Sequence, residues 1–344
     1  MGLNILRLRE PIKPRESIES SASYQELASR FKLSQDDLGR RLEAIRQKLF
    51  TQRQKRIHPN KDDKILTDWN GLMIAALAKG AQAFDDPRYS NAARVAAEFV
   101  VSHLRPSDEG GANGRLFHTY RDGQASVSGL IDDYAFLIWG MLELYETVFD
   151  ERYLRIALEL NEHLLKHFWD DDKGGFYLTA DDSESPLVRR KEIRDGAVPS
   201  GNAVAMLNLV RLGEMTADSD FEGKAARIAY AFSKSIKQSP SAHAQLMVAL
   251  DAAVGPFYEV VIAGASQADD TKEMLKAIRR RFIPNRAILL RATEQVAPGI
   301  DAIAGFTSSY PSIDGRATVY VCTNHSCRLP STDARAVLDL LDVR

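Results

Sequence analysis

Cysteine is nearly absent: only Cys322 and Cys327 occur in 344 residues, too few for a disulfide framework and in keeping with a reducing compartment. The two enclose His325, but no other cysteine exists to complete a ligand set at finger-like spacing, so no metal is expected. No apolar run approaches the roughly 18 residues that a bilayer-spanning helix needs. Met1-Gly2-Leu3-Asn4-Ile5 does not open like a signal peptide, and the expectation is a cytoplasmic protein without membrane contact. Charge of one sign is missing too. The 45 Lys and Arg residues are balanced by 47 Asp and Glu, a net charge of −2, and the pI is near 6.4, which leaves no footprint for nucleic acid. Phosphate-cradling glycine loops, zinc-protease helix motifs and nucleophile elbows are all lacking, and no cofactor is expected.

What is present is a repeat. An almost wholly apolar helical run from Thr67 turns at Asp85-Asp86-Pro87-Arg88-Tyr89 and resumes as a one-sided helix through Val95, Phe99 and Leu104. A second copy starts at Asp132 and turns at Asp150-Glu151-Arg152-Tyr153; an offset of 64 carries Asp68 onto Asp132, Leu72 onto Phe136 and Tyr89 onto Tyr153. A third runs from Pro199-Ser200-Gly201-Asn202 through Ala217-Asp218-Ser219-Asp220 to Ile236, at a further offset of 68. Each such unit buries its apolar face only against its neighbours. The first helix of each copy is apolar all round and reads as inner. In the second, Arg94, Glu98, Arg155, Glu159, Lys224 and Arg227 interrupt the apolar stripe, so it reads as outer. The fold expected is mainly α: a partial (α/α)6 toroid of helical hairpins.

Three segments follow: a loosely ordered lead-in over 1–23, rich in Pro and Ser, the hairpin toroid over 24–254, and a small α/β appendage over 255–344 with β-α-β-β-α order. Inner-to-outer turns are short, but the outer-to-inner connections, Arg105 to Gly129 and Trp169 to Val198, are long. A pocket is therefore expected at the N-terminal ends of the inner helices, where free backbone N–H groups suit anionic or hydroxyl-rich ligands.

Four ordered motifs, Lys64-Ile65-Leu66-Thr67-Asp68-Trp69-Asn70-Gly71-Leu72, Asp132-Asp133-Tyr134-Ala135, Asp195-Gly196-Ala197-Val198-Pro199-Ser200-Gly201-Asn202 and Val321-Cys322-Thr323-Asn324-His325-Ser326-Cys327, resemble the thioredoxin-domain-containing family of spermatogenesis-associated protein 20 and bacterial YyaL. The resemblance spans Gln35 to the C-terminus. It implies a six-hairpin toroid similar to those of glycosidases and N-acylglucosamine 2-epimerase. It also implies a truncated member: the thioredoxin-like domain, its Cys-x-x-Cys and the first hairpins have no counterpart here, and about eight helices stand against about twelve in a closed ring.

The chemistry expected at the pocket rests on Asp68, Asp132 and Asp133. Register places the first two at equivalent ends of neighbouring inner helices, where one acid and one base would serve glycoside hydrolysis or hydration of an unsaturated uronide. Both also suit helix capping, which would recur by architecture alone. Asp133 is the preferred catalytic group, because one cap suffices. His118, on the first long loop, is a further acid/base candidate, and Arg121 beside it a carboxylate clamp. Trp69 and Tyr134 offer faces for a sugar or bodies for the core; Asn70 and Asn202 offer ligand contacts or backbone braces. Arg194 closes a basic run with Arg189, Arg190 and Lys191 that reads either as a solvated loop or as an attraction for acidic sugars. Two functions follow: a carbohydrate-binding or carbohydrate-processing toroid, hydrolase or epimerase, with a saccharide ligand; or a non-catalytic scaffold whose open ring is completed by a homo-oligomer or a separate chain.

Overall fold

A computed structural model describes residues 22–106, 114–183, 188–323 and 326–341. The expected lead-in lies almost wholly outside the described residues, as does His325. The chain divides into two compact units, Met1–Asp62 and Asp63–Arg344. In the first, α1 (Ala22–Arg30) and α2 (Gln35–Gln54) meet through Tyr24, Ala28, Leu33 and Leu38. Ser34 caps α2 by accepting the Asp37 N–H, which is why the helix starts there.

The second unit carries the repeat. Inner helices α3 (Thr67–Phe84), α5 (Ile131–Val148), α7 (Gly201–Thr216) and α9 (Ala244–Val254) pack side by side in chain order. Outer helices α4 (Pro87–His103), α6 (Glu151–His167) and α8 (Ser219–Gln238) each fold back on the inner helix before them. This is a partial (α/α) toroid with a C-terminal α/β layer. The three inner-to-outer turns are built alike. Asp85, Phe149 and Ala217 end their helices in the left-handed region, with φ of 53°, 52° and 57°. Asp86, Asp150 and Asp218 then cap the outer helices by accepting the N–H two residues on.

Glycine sets how closely α3 and α5 approach. A Cβ on Gly71 would lie 2.5 Å from the Phe136 carbonyl carbon, and one on Gly140 would lie 2.7 Å from the Gly71 oxygen. Neither obstacle is a movable side chain. Gly71→Ala is therefore expected to cost about 1–3 kcal/mol by overpacking, read as a lower urea midpoint with unchanged m-value.

The last layer is a four-stranded sheet in the order β5-β4-β6-β7, formed by β4 (Tyr258–Gly264), β5 (Arg286–Ala292), β6 (Thr318–Thr323) and β7 (Ser326–Cys327). Helix α10 (Asp269–Arg279) makes the crossover between the parallel pair β4 and β5, and α11 (Ala334–Leu340) follows β7. Val261, Ala263, Leu289 and Tyr320 share the core of the hairpins, while Val260, Ile262, Ile288 and Val319 face Met274, Ile278 and Val337. Covered on both faces, the strands read as continuous apolar runs rather than alternating ones. Cys322 and Cys327, too few for the disulfide framework of a small secreted fold, nonetheless form one disulfide, across the paired strands β6 and β7. Among the described residues, no helix is long and apolar enough to cross a membrane.

Candidate functional site at the inner-helix N-termini

The first turns of the inner helices leave backbone N–H groups without helical partners. Here carboxylates satisfy them, each reaching a neighbouring helix. Asp133, in the first turn of α5, accepts the Asp68 N–H of α3 at 3.0 Å and the Leu130 N–H of its own N-cap at 2.8 Å. Asp132 accepts the Gly201 N–H at the start of α7. Asp195 continues the series, taking the Ser200 N–H at 3.0 Å and the Gln245 N–H of α9 at 2.8 Å. Thus Asp68 and Asp132 lie in first turns, as register predicts, but neither caps its own helix: the N-cap positions are Leu66 and Leu130.

The first long loop supplies the histidine. Strands β2 (Phe117–Arg121) and β3 (Gln124–Ser128) form a hairpin turning at Asp122-Gly123, and β1 (Ile65–Leu66) pairs along β2. Thr67 Oγ1 donates to the Phe117 carbonyl at 2.6 Å, and the Leu116 N–H donates to the buried Tyr134 hydroxyl at 2.9 Å. Held from both sides, His118 directs Nδ1 at both oxygens of Asp133, 2.9 and 3.0 Å away. Asp133 is fully buried and saturated with N–H donors. Both of its oxygens are engaged, and they hold the His118 imidazole by Nδ1.

Electrostatics single out Asp132. Burial, then the negative charges of Asp133, Asp68 and Glu192, push its carboxyl up to about 6. Asp68 is raised as well, by burial and then Asp133, with its Oδ1 accepting the Trp69 N–H at 2.7 Å. His118 is raised above 6.5, chiefly by its hydrogen bond to Asp133. A carboxyl that holds its proton more tightly folded than unfolded favours the fold at low pH, and that contribution is lost as pH rises from 3.8 through about 6. Asp132→Asn keeps an acceptor for Gly201 without the buried charge. It is expected to stabilise the fold at pH 7 by about 1–3 kcal/mol, and to flatten stability between pH 4 and 6 in denaturant titrations.

Donor atoms of Asp68, His118 and Asp133 lie within 4.8 Å of one another, as do those of His167, Asp181 and Asp182, close enough to share a cation. In the first set the Asp133 oxygens already accept N–H bonds. In the second, Asp182 is paired with Arg115.

The remaining expected residues divide by exposure. Trp69 is 62 % exposed, one residue from Asp68. Tyr134 is core, stacked on His163 at 5.2 Å, and burial raises its hydroxyl. Asn70 braces the start of α3 through Nδ2 to the Leu66 carbonyl at 2.7 Å. Asn202 is a brace as well: its amide donates to the Phe176 and Glu192 carbonyls and accepts the Phe176 N–H. This ties the long loop before α7 to the helix start. Arg121 sits at the hairpin tip, paired with Asp63 at 3.0 Å. Of the basic run, Arg189 donates to backbone carbonyls and Lys191 bonds Asp170 at 2.6 Å, while Arg194 is exposed beside a 460 Å³ cleft that also includes His243 and Ser235.

No protein-family model matches the chain. Human spermatogenesis-associated protein 20 is 32% identical over 328 residues, 93% of this chain and 41% of the human protein. The mouse protein is 31% identical over the same shares. The chain is a homologue of spermatogenesis-associated protein 20. It spans about two fifths of the length of these relatives. Partly similar solved structures include cellobiose 2-epimerase from Bacillus thermoamylovorans B4167, at 14% identity and TM-score 0.42 over 51% of this chain and 46% of that one. A family 105 glycoside hydrolase from C. acetobutylicum ATCC 824 gives 13% and 0.41, over 62% and 61%.

Asp195 and Glu192 were not among the expected site residues. Asp195 lies in the motif Asp195-Gly196-Ala197-Val198-Pro199-Ser200-Gly201-Asn202, where an acid five residues before the Ser200 N-cap is the one sign that it braces that start. Glu192 acts on Asp132 only through space, and nothing in the sequence marks it.

Proposed function

We propose that the chain binds a saccharide at the N-terminal ends of α3, α5 and α7 and acts on it as a hydrolase or an epimerase. The observation that carries this reading is Asp132, a carboxyl held near pH 6 by burial beside three other acids. Neighbouring titratable groups pushed to different protonation states are what acid/base catalysis requires. Asp132, protonated below about pH 6, would give its proton to a glycosidic or hydroxyl oxygen. Asp68 would accept one from water or the sugar, while His118, its imidazole fixed by Asp133, would donate a hydrogen bond to the sugar. Trp69 offers an exposed ring to a sugar face. Incubating the chain with neutral, N-acylated and unsaturated uronic oligosaccharides and following products by NMR tests it. Turnover lost in Asp132→Asn supports the reading; no turnover and no binding across all three classes refutes it.

A second reading, a non-catalytic scaffold, is favoured by the apolar surface along α3 and α4. Trp69, Met73, Phe84 and Val95 are 62, 56, 70 and 67 % exposed, more than a closed ring would leave open. A homo-oligomer or separate chain would cover it. Self-association at micromolar concentration, abolished by Met73→Glu with the saccharide response intact, would add this role to the first.

A further inference from the structure

A second group of reactive side chains lies away from the helix starts, at one end of the C-terminal sheet. Glu259 on β4 pairs in register with Cys322 on β6, and Cys322 with Cys327 on β7. Residues directly opposite on antiparallel strands project to the same face with Cβ atoms about 4.5–5.5 Å apart. A carboxyl and the two sulfurs of the disulfide therefore form one row. Cys322 is 1 % exposed while Cys327 is open to solvent. Tyr310, stacked on Tyr320 at 4.4 Å, places its hydroxyl 3.1 Å from Cys327 Sγ and 3.8 Å from Cys322 Sγ. A disulfide sulfur has no proton, so the hydroxyl donates. Glu259 is buried, and its Oε1 has no hydrogen-bond partner among the described residues. A buried polar atom without a partner costs stability and asks for a role.

We propose that Cys322 and Cys327 are a reversible dithiol–disulfide pair that exchanges with an external dithiol, with Cys327 the sulfur attacked and Glu259 the proton donor to Cys322. An external thiolate attacks the exposed Cys327 Sγ. A bond forms between them, and the Cys322–Cys327 bond breaks with its electron pair on Cys322 Sγ. Glu259 passes its proton to that buried thiolate and is reprotonated from water. The second external thiolate then attacks the external sulfur of the mixed disulfide and frees Cys327 as a thiolate, which takes a proton from water. Two electrons pass from the external dithiol, which ends as a disulfide, to the pair, which ends as two thiols. The Tyr310 hydroxyl faces both sulfurs and stabilises the thiolate at each stage.

Protonation fits these roles. Burial, then the charge of Glu214 on α7, pushes Glu259 up to about 7, so at neutral pH it still has a proton to give. Burial also raises Tyr310, which keeps its hydroxyl a donor. Among the described residues, Glu214 from α7 and the neutral hydroxyls of Tyr310 and Tyr320 are the titratable groups around the row.

The test is the rate at which dithiothreitol reduces the pair in the full chain at pH 7, read by alkylation and peptide mass spectrometry with circular dichroism recorded alongside. Reduction of the folded chain is expected, slowed at least about tenfold in Glu259→Gln. The advantage of the wild type should fade as pH rises above about 7. Cys322→Ser should hold glutathione on Cys327 as a stable mixed disulfide. Where Glu259→Gln fails to fold, Tyr310→Phe carries the same rate comparison. Free thiols without reductant, reduction only in denaturant, or equal rates in folded wild type and variants would each overturn the proposal.

Discussion

Asp133→Ala is expected to remove about 3–5 kcal/mol of stability and, with it, any saccharide response. One buried carboxylate accepts the Asp68 N–H, the Leu130 N–H and His118 Nδ1. Alanine would strand one buried and one partly buried backbone donor on adjacent helices, each costing about 1–3 kcal/mol, and release the imidazole besides. Asp133→Asn keeps one acceptor oxygen and should fall between alanine and wild type. Guanidinium unfolding of the three proteins checks the order. Equal stability of wild type and alanine variant would show that water replaces the carboxylate and that the helix starts are held by other contacts.

The second large effect lies further along the same helices, within their apolar runs. Arg211 on α7 bonds Glu143 and Glu146 of α5, both at 2.7 Å, and all three side chains are buried. The Trp139 indole N–H and Lys79 also reach Glu143, at 3.1 and 3.0 Å. Burial alone would push the Glu143 carboxyl up; Arg211 and Lys79 outweigh it and hold the group down at about 2. Arg211→Met takes from buried Glu146 its ion-pair partner and leaves Glu143 only Lys79 and Trp139, and should cost about 3–5 kcal/mol at pH 7. The pH dependence should invert. In the wild type, the stability that Glu143 contributes is present above 4.5 and lost as pH falls through about 2. In the variant, protonation relieves an unpaired charge, so acidification toward pH 4 should recover stability. Replacing Glu143 and Glu146 by leucine in the same chain should restore most of the loss, because the apolar trio removes the stranded charges.

This network was legible in the repeat, though only in part. Offsets of 64 and 68 carry Lys79 onto Glu143 and Glu143 onto Arg211, so charges of alternating sign occupy one repeat position on three adjacent inner helices. The turns were equally regular, and the left-handed residues at Asp85, Phe149 and Ala217 obey the same offsets. Periodicity could deliver these because each belongs to a repeating local unit. It could not deliver His118, whose place depends on the pairing of Ile65 with Tyr120 and on the Thr67 hydroxyl, contacts about 50 residues apart that occur once. Nor could it assign the carboxylates. Asp132 and Asp133 are adjacent in sequence, yet successive helical side chains point about 100° apart. One is buried against α3 as a brace and the other faces α7 with a single N–H partner. The disulfide escaped for a related reason: the β6–β7 pairing that joins the cysteines is tertiary, and cysteine count alone argued against a disulfide framework.

In the function proposed above, Trp69, Asp68, Asp132 and His118 belong to one saccharide site at the inner-helix starts. Three tryptophans are present in the chain, of which Trp169 is buried and Trp69 exposed. Subtracting the emission of a Trp69→Phe variant therefore isolates the reporter beside Asp68. The decisive measurement is a titration of that difference signal with neutral, N-acylated and uronic oligosaccharides, repeated in His118→Ala. A saturable change with at least one class is expected, weakened about tenfold or more in His118→Ala. A folded wild type whose Trp69 signal responds to no class, or responds equally in both proteins, would contradict it.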